Sequence, residues 1–149
     1  MEFKNNIYSF QGINLLEICE KFGTPVYVYD ASIIESQVEK LRRAFQSLNL
    51  RINFAVKSLS NVSILKLMRK LETGLDVVSI EEAHLGIKAG FKPNDILFTP
   101  NSVSFEEIKE AIKLGVRINI DNISILEQFG HEFHNSIPVS IRINPHIMK

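Results

Sequence analysis

The sequence predicts an α/β protein, built as the N-terminal part of a (β/α)8 barrel. Three observations carry this reading. An apolar strand, a helix-start signal, an amphipathic helix and a glycine recur in that order along the chain. The strand candidates begin about 20–24 residues apart, a βα-unit spacing, and such alternation implies parallel pairing. An open doubly wound sheet also fits the alternation. No strand–helix junction carries the G-x-G-x-x-G of a dinucleotide site or the G-x-x-x-x-G-K-[ST] of a P-loop, which favours the barrel.

The elements follow in order. Residues 1–30 hold a short helix, Leu15 to Phe22, then Gly23-Thr24-Pro25 and an expected strand, Val26 to Tyr29. This segment is set apart from residues 31–149, where the regular pattern runs. Ser32…Glu35 opens a helix whose apolar stripe is Ile34, Val38, Leu41, Phe45 and Leu48. Five strands are expected, at Ile52–Val56, Leu75–Val78, Ile96–Thr99, Val116–Ile120 and Val139–Ile143. Ser79…Glu82, Ser104…Glu107 and Ser124…Glu127 read as capping boxes that start the helices between them. Gly74, Gly90, Gly115 and Gly130 read as helix stops. Eight units of this spacing need more chain than lies here, and typical barrels take about 250 residues. The expectation is therefore five of eight strands of a longer protein, inactive without the remainder.

Composition narrows the function. The 149 residues are 45% apolar and 23% charged, ordinary for a globular chain. Seventeen basic residues balance seventeen acidic ones, without the basic excess of a nucleic-acid binder. The single cysteine, Cys19, forms no internal disulfide. No apolar run approaches the roughly 18 residues of a membrane span. A cytoplasmic location with neither nucleic-acid nor membrane partners is expected.

Barrel enzymes place chemistry at the C-terminal ends of their strands. Those ends carry Lys57-Ser58, Asp76 to Ser79, Thr99-Pro100-Asn101, Asp121-Asn122 and Arg142 to Pro145. Lys57 follows the apolar Phe54-Ala55-Val56. A partly desolvated amine there suits Schiff-base chemistry; the alternative is a lysine that snorkels into solvent. Asp76 lies inside a strand and calls for a partner, such as a lysine at the neighbouring strand end, or a structural hydrogen bond. Glu82 is already explained by its capping box. Arg142 suits an anionic or phenolic oxygen, or an ion pair with Glu82. His131 and His134, three apart and off the strand-end face, do not form a metal motif. No G-x-S-x-G or C-x-x-C occurs.

An ordered set of segments resembles a known family. It comprises Phe22-Gly23-Thr24-Pro25-Val26-Tyr27-Val28-Tyr29-Asp30, Phe54-Ala55-Val56-Lys57, Gly74-Leu75-Asp76-Val77-Val78-Ser79 and Ala89-Gly90-Phe91. Phe98-Thr99-Pro100-Asn101-Ser102-Val103-Ser104, Asn119-Ile120-Asp121 and Arg142-Ile143-Asn144-Pro145 complete it. Together they resemble the diaminopimelate decarboxylases, pyridoxal-phosphate enzymes of the alanine-racemase-like barrel class. Three details depart from the family pattern: Ser58-Leu59 after the lysine, Glu81 in place of a glycine, and no glycine or lysine in Pro100 to Ser104.

The resemblance implies decarboxylation of meso-2,6-diaminopimelate to L-lysine and CO2 by the full-length protein, with pyridoxal phosphate as cofactor. Decarboxylation of another basic amino acid (ornithine, arginine or carboxynorspermidine) and a non-catalytic pyridoxal-phosphate barrel are the alternatives. It also implies a homodimer with shared active sites, acting on a small amino acid. The first strand would join a C-terminal β domain. Lys57 matches the lysine that holds the cofactor, and Asp76, Glu82 and Arg142 match polar residues around its ring.

Overall fold

The computed structural model describes residues 1–145, which form two compact units, Met1–Asn49 and the chain from Leu50 onward.

In the first unit, β1 (Glu2–Lys4), β2 (Ile7–Phe10) and β3 (Ile13–Asn14) form an antiparallel sheet in chain order. Each hairpin closes on two residues with positive φ, Asn5 and Asn6 in one, Gln11 and Gly12 in the other. Two such residues in a two-residue loop match the right-handed strand twist, and Asn and Gly tolerate the conformation. The sequence reading placed no strand here, although these turn residues are a readable signal. Helix α1 (Leu15–Phe22) spans the expected residues, with the Asn14 side chain accepting from Leu16 N–H. The expected strand at Val26–Tyr29, whose ladder partner would lie in a C-terminal β domain, joins no ladder among the described residues, and Tyr27 is 86% exposed. A strand requires a neighbour for its N–H and C=O groups, and none of the described residues supplies one. Helix α2 (Ala31–Ala44) starts at Asp30, not Ser32. Asp30 Oδ1 accepts from the N–H groups of Ser32 (2.8 Å) and Ile33 (3.3 Å) and from the Ser32 hydroxyl (2.7 Å). Hydrogen bonds from Ser32, then Gln11, hold the Asp30 carboxyl below its ordinary range. Of the predicted stripe on α2, Val38 is buried.

The second unit holds β4 (Asn53–Ala55), α3 (Val62–Lys70), β5 (Gly74–Val77), α4 (Ile80–Lys88) and β6 (Ile96–Phe98). Then come α5 (Phe105–Leu114), β7 (Arg117–Ile120), α6 (Ile123–Phe133) and β8 (Val139–Ile141). The five strands are parallel and lie in chain order. Consecutive helices from α3 to α6 touch one another. A doubly wound sheet would reverse its order and divide its helices between two faces. One sense of winding, with neighbouring helices in file, is the barrel arrangement.

Alternation along the strands separates two faces. Leu75, Val77, Ile96, Phe98, Ile118 and Ile120 are all buried and form the core with Leu65 of α3 and Ile108 of α5. Ala55, Asp76, Leu97 and Arg117 form one in-register row on the opposite, inner face. Thr99, Asn119 and Ser140 continue that face toward the C-terminal edge, with Asn119 Nδ2 donating to Thr99 Oγ1 at 3.4 Å.

Caps and stops refine the sequence reading. Ser79 and Ser104 cap α4 and α5 as predicted, and Ser104 and Glu107 cap each other reciprocally. Helix α6 starts at Asn122 rather than Ser124: Asn122 Oδ1 accepts from Ser124 N–H (2.8 Å) and from the Ser124 hydroxyl (2.7 Å). An Asx side chain two residues upstream meets the orphan N–H groups first and occupies the serine. Asn61 caps α3 in the same way. Gly115 ends α5 with φ of 76°. Two predicted stops are corrected: Gly130 lies inside α6, and Gly74 opens β5. Gly74 is required by close approach, since a Cβ there would stand 2.7 Å from the Asp95 carbonyl oxygen.

Candidate active site

Parallel pairing brings the C-terminal strand ends to one edge, which collects Lys57, Ser79, Asn101, Asp121 and Arg142. Lys57 sits in a single 3-10 turn, Val56–Ser58, directly after β4. Fully buried Val56 anchors the turn. The Ser58 hydroxyl donates to the Ala55 carbonyl (2.7 Å) and Leu59 N–H donates to the Val56 carbonyl (2.9 Å). Lys57 is thus held by its backbone while its side chain is exposed, not partly desolvated as the apolar context predicts. The strand ends before the lysine, so the apolar residues around it pack elsewhere.

Asp76 occupies the middle of the inner face, in register with Ala55 on one side and Leu97 on the other. Its Oδ1 is buried and has no hydrogen-bond partner among the described residues. The lysine partner that the sequence suggests is not engaged. An ionisable oxygen left buried and unpaired is costly, so it calls for a donor from outside the described chain.

Glu82, at the third position of α4, folds back onto the turn. Its Oε2 accepts from Val78 N–H at 2.8 Å, while its own N–H donates to Ser79 Oγ at 3.3 Å. Its carboxylate therefore fixes the turn between β5, which carries Asp76, and α4. Arg142 follows β8, with its N–H donating to the Ile120 carbonyl at 2.8 Å. Its side chain is exposed, and the Glu82 carboxylate is turned to Val78 N–H instead. His131 and His134 lie at the far end of α6, across the sheet from the strand C-termini.

This edge presents an accessible amine, a buried acceptor that lacks a donor, and an exposed guanidinium. An amine attacks a carbonyl, the acceptor takes a hydrogen bond, and the guanidinium binds an oxyanion. Sequence reasoning missed two inner-face residues, Asn53 and Arg117, whose buried Oδ1, Nε and Nη2 atoms also lack partners among the described residues. The signal was the alternation in Arg117-Ile118-Asn119-Ile120, which puts polar side chains on one face and apolar ones on the other.

Comparison with known proteins agrees with this arrangement. The family described as pyridoxal-dependent decarboxylase, pyridoxal binding domain, matches residues 31–149. The chain is 36% identical to diaminopimelate decarboxylase of Bacillus subtilis, across 90% of this chain and 32% of that protein. It is 33% identical to the Haemophilus influenzae enzyme, across 98% of this chain and 36% of that one. The solved diaminopimelate decarboxylase of M. jannaschii superposes with a TM-score of 0.86 at 29% identity, covering 99% of this chain and 36% of that one. The Helicobacter pylori enzyme, solved with L-lysine, gives 0.79 at 36% identity, covering 90% and 35%. The chain spans about a third of the length of the curated relatives it matches. With the barrel winding, the strand-end lysine and the matched region in agreement, the chain belongs to the pyridoxal-dependent decarboxylases, as part of their pyridoxal binding domain.

Proposed function

We propose that the protein to which this chain belongs decarboxylates meso-2,6-diaminopimelate to L-lysine and CO2, with pyridoxal phosphate as cofactor. The observation that carries this reading is the accessible Lys57 amine at the strand C-termini, above an inner face whose central carboxylate, Asp76, lacks a donor. That pair fits a cofactor which brings an aldehyde to the amine and hydrogen-bond donors to the sheet. The relatives named above support the substrate.

When bound, pyridoxal phosphate supplies an electron sink for the pair left on the substrate carbon as CO2 departs. Lys57 would hold the cofactor through its Nζ, the exposed amine at the end of β4. The turn at Val56–Ser58, tied by the Ser58 hydroxyl to the Ala55 carbonyl and by Leu59 N–H to the Val56 carbonyl, positions the backbone that carries this amine. Asp76 Oδ1 would accept a hydrogen bond from a donor on the bound cofactor. Glu82 acts through the backbone: by holding Val78 N–H it fixes the turn between β5 and α4. Arg142 offers its guanidinium to an anionic or phenolic oxygen.

In this reading residues 31–149 form the barrel portion, and residues 1–30 go with a C-terminal β domain. The protein works as a cytoplasmic homodimer on a small amino acid. The test is CO2 release by the full-length protein from meso-diaminopimelate, against ornithine, arginine and carboxynorspermidine. Preference for any of the last three overturns the substrate assignment. Borohydride reduction and peptide mapping place the pyridoxyl group on Lys57; a label on another lysine overturns that assignment.

A further inference from the structure

Arg117 opens β7 and pairs with Leu97 of β6, so its side chain leaves the sheet on the inner face, opposite buried Ile118. Its Nε and Nη2 atoms are both buried and both lack a hydrogen-bond partner among the described residues. These two N–H groups point along one edge of the guanidinium, the edge that receives both oxygens of a single carboxylate.

The neighbouring charges do not fill that edge. Asp95 is committed to Arg51, with Arg51 Nη2 at 2.8 Å from Asp95 Oδ1 and 3.0 Å from the Asn94 carbonyl. Arg51 carries the same charge as Arg117, and burial followed by this repulsion pushes the Arg117 guanidinium below its ordinary pKa. Two other buried atoms on this face lack partners, Asn53 Oδ1 and Asp76 Oδ1. Asn53 is neutral and lies on β4, three strands away. Asp76 shares the row of Arg117 but stands two strands off with Leu97 between them, roughly 10 Å at ordinary strand spacing. Each is left unbonded by Arg117.

Two buried N–H groups without an acceptor are costly, and Asp95, the acid whose charge acts on Arg117, spends its carboxylate oxygen on Arg51. The sheet also has room for another acid: β4 and β8 each have a single neighbour, and the relatives are about three times the length of this chain. We infer that the Nε–Nη2 edge of Arg117 is the seat of an internal ion pair, filled by an Asp or Glu carboxylate from the inner face of the strands that complete the barrel. The pair joins the two parts of the barrel at the N-terminal side of the sheet, away from Lys57. It sets the register in which they close and takes no part in turnover.

The test is the structure of the full-length wild-type holoenzyme. The expected result is one carboxylate, from a residue after Pro145, with its two oxygens about 2.7–2.9 Å from Nε and Nη2. Water, an ordered inorganic anion, backbone carbonyls or Asp76 at that edge overturns the inference. A second measurement uses variants of the full-length protein. Arg117→Met alone lowers Tm by several degrees, and combining it with replacement of the partner acid by Leu recovers most of the loss. Equal or additive losses in the double variant overturn the pairing, as does a wild-type Tm raised by inorganic phosphate that Arg117→Met does not share. Substrate specificity enters neither readout, so failure of the proposed reaction and failure of this ion pair are separable.

Discussion

The two faces of the five-stranded sheet differ more than any two elements do. The helix-covered face is built from Leu75, Val77, Ile96, Phe98, Ile118 and Ile120, each at most 2% exposed. The inner face, one residue out of phase, carries Asp76, Thr99, Arg117, Asn119 and Ser140. The interior of a barrel is normally packed with branched apolar side chains in layers. Polar groups there, with buried atoms of Asp76 and Arg117 that lack partners among the described residues, mark a surface made to meet other chemistry. One face holds the fold together, and the other is kept for a ligand and for the rest of the barrel.

Substitutions should divide along the same line. The largest effect belongs to Lys57→Ala in the full-length protein. Turnover should fall by roughly 10⁴-fold or more, since the covalent anchor is removed. Tm should stay within a degree of wild type, because the side chain is exposed. A large loss of stability would mean that Lys57 belongs to the scaffold. Phe98→Ala on the helix face should do the reverse. Removing a fully buried ring costs about 3–5 kcal/mol, read by urea denaturation. A loss under 1 kcal/mol would break the assignment of that face as the core.

Asp76→Asn keeps the shape of the inner face and removes the charge. Activity should drop by about 10²-fold, while the urea midpoint holds or rises, because an unpaired buried carboxylate oxygen is relieved. Unchanged activity with lower stability would make Asp76 structural. The smallest effects concern the helices that cover the apolar face. Ser104→Ala should cost about 1 kcal/mol, as should Asn122→Ala, whereas Ser124→Ala should be close to neutral. A matching loss at Ser124 would return the start of α6 to the serine.

Much of this architecture was legible in the sequence, for local reasons. A βα unit announces itself by period, cap and spacing, so α1, α4, α5 and the order of the five parallel strands follow from nearby residues. Lys57 was legible because a strand end followed by an amine is itself a local pattern. Where two local signals competed, the nearer polar side chain prevailed. Asp30 and Asn122 displaced Ser32 and Ser124 because their oxygens reach the same N–H groups and also hold the serine hydroxyls.

Other features were decided only by partners distant in sequence. Val26–Tyr29 has the composition of a strand, but a ladder is a property of two segments, and no second one is present among the described residues. Gly74 resembles a helix stop in sequence, yet its lack of a side chain serves the Asp95 carbonyl, 21 residues on, which passes too close for a Cβ. The unpaired state of Asp76 and Arg117 is likewise invisible in one dimension. Asp76 sits in an apolar run, and Arg117 in an alternating one that separates two faces without naming the partners of either. Only parallel pairing, with its strict alternation, places both on the inner face, where their charges require partners from outside the described sheet. The sequence by itself determined the order of strands and helices, because that order rests on contacts within a turn or two. Tertiary structure alone decided which face is core and which is site, because burial and pairing depend on what lies across the sheet.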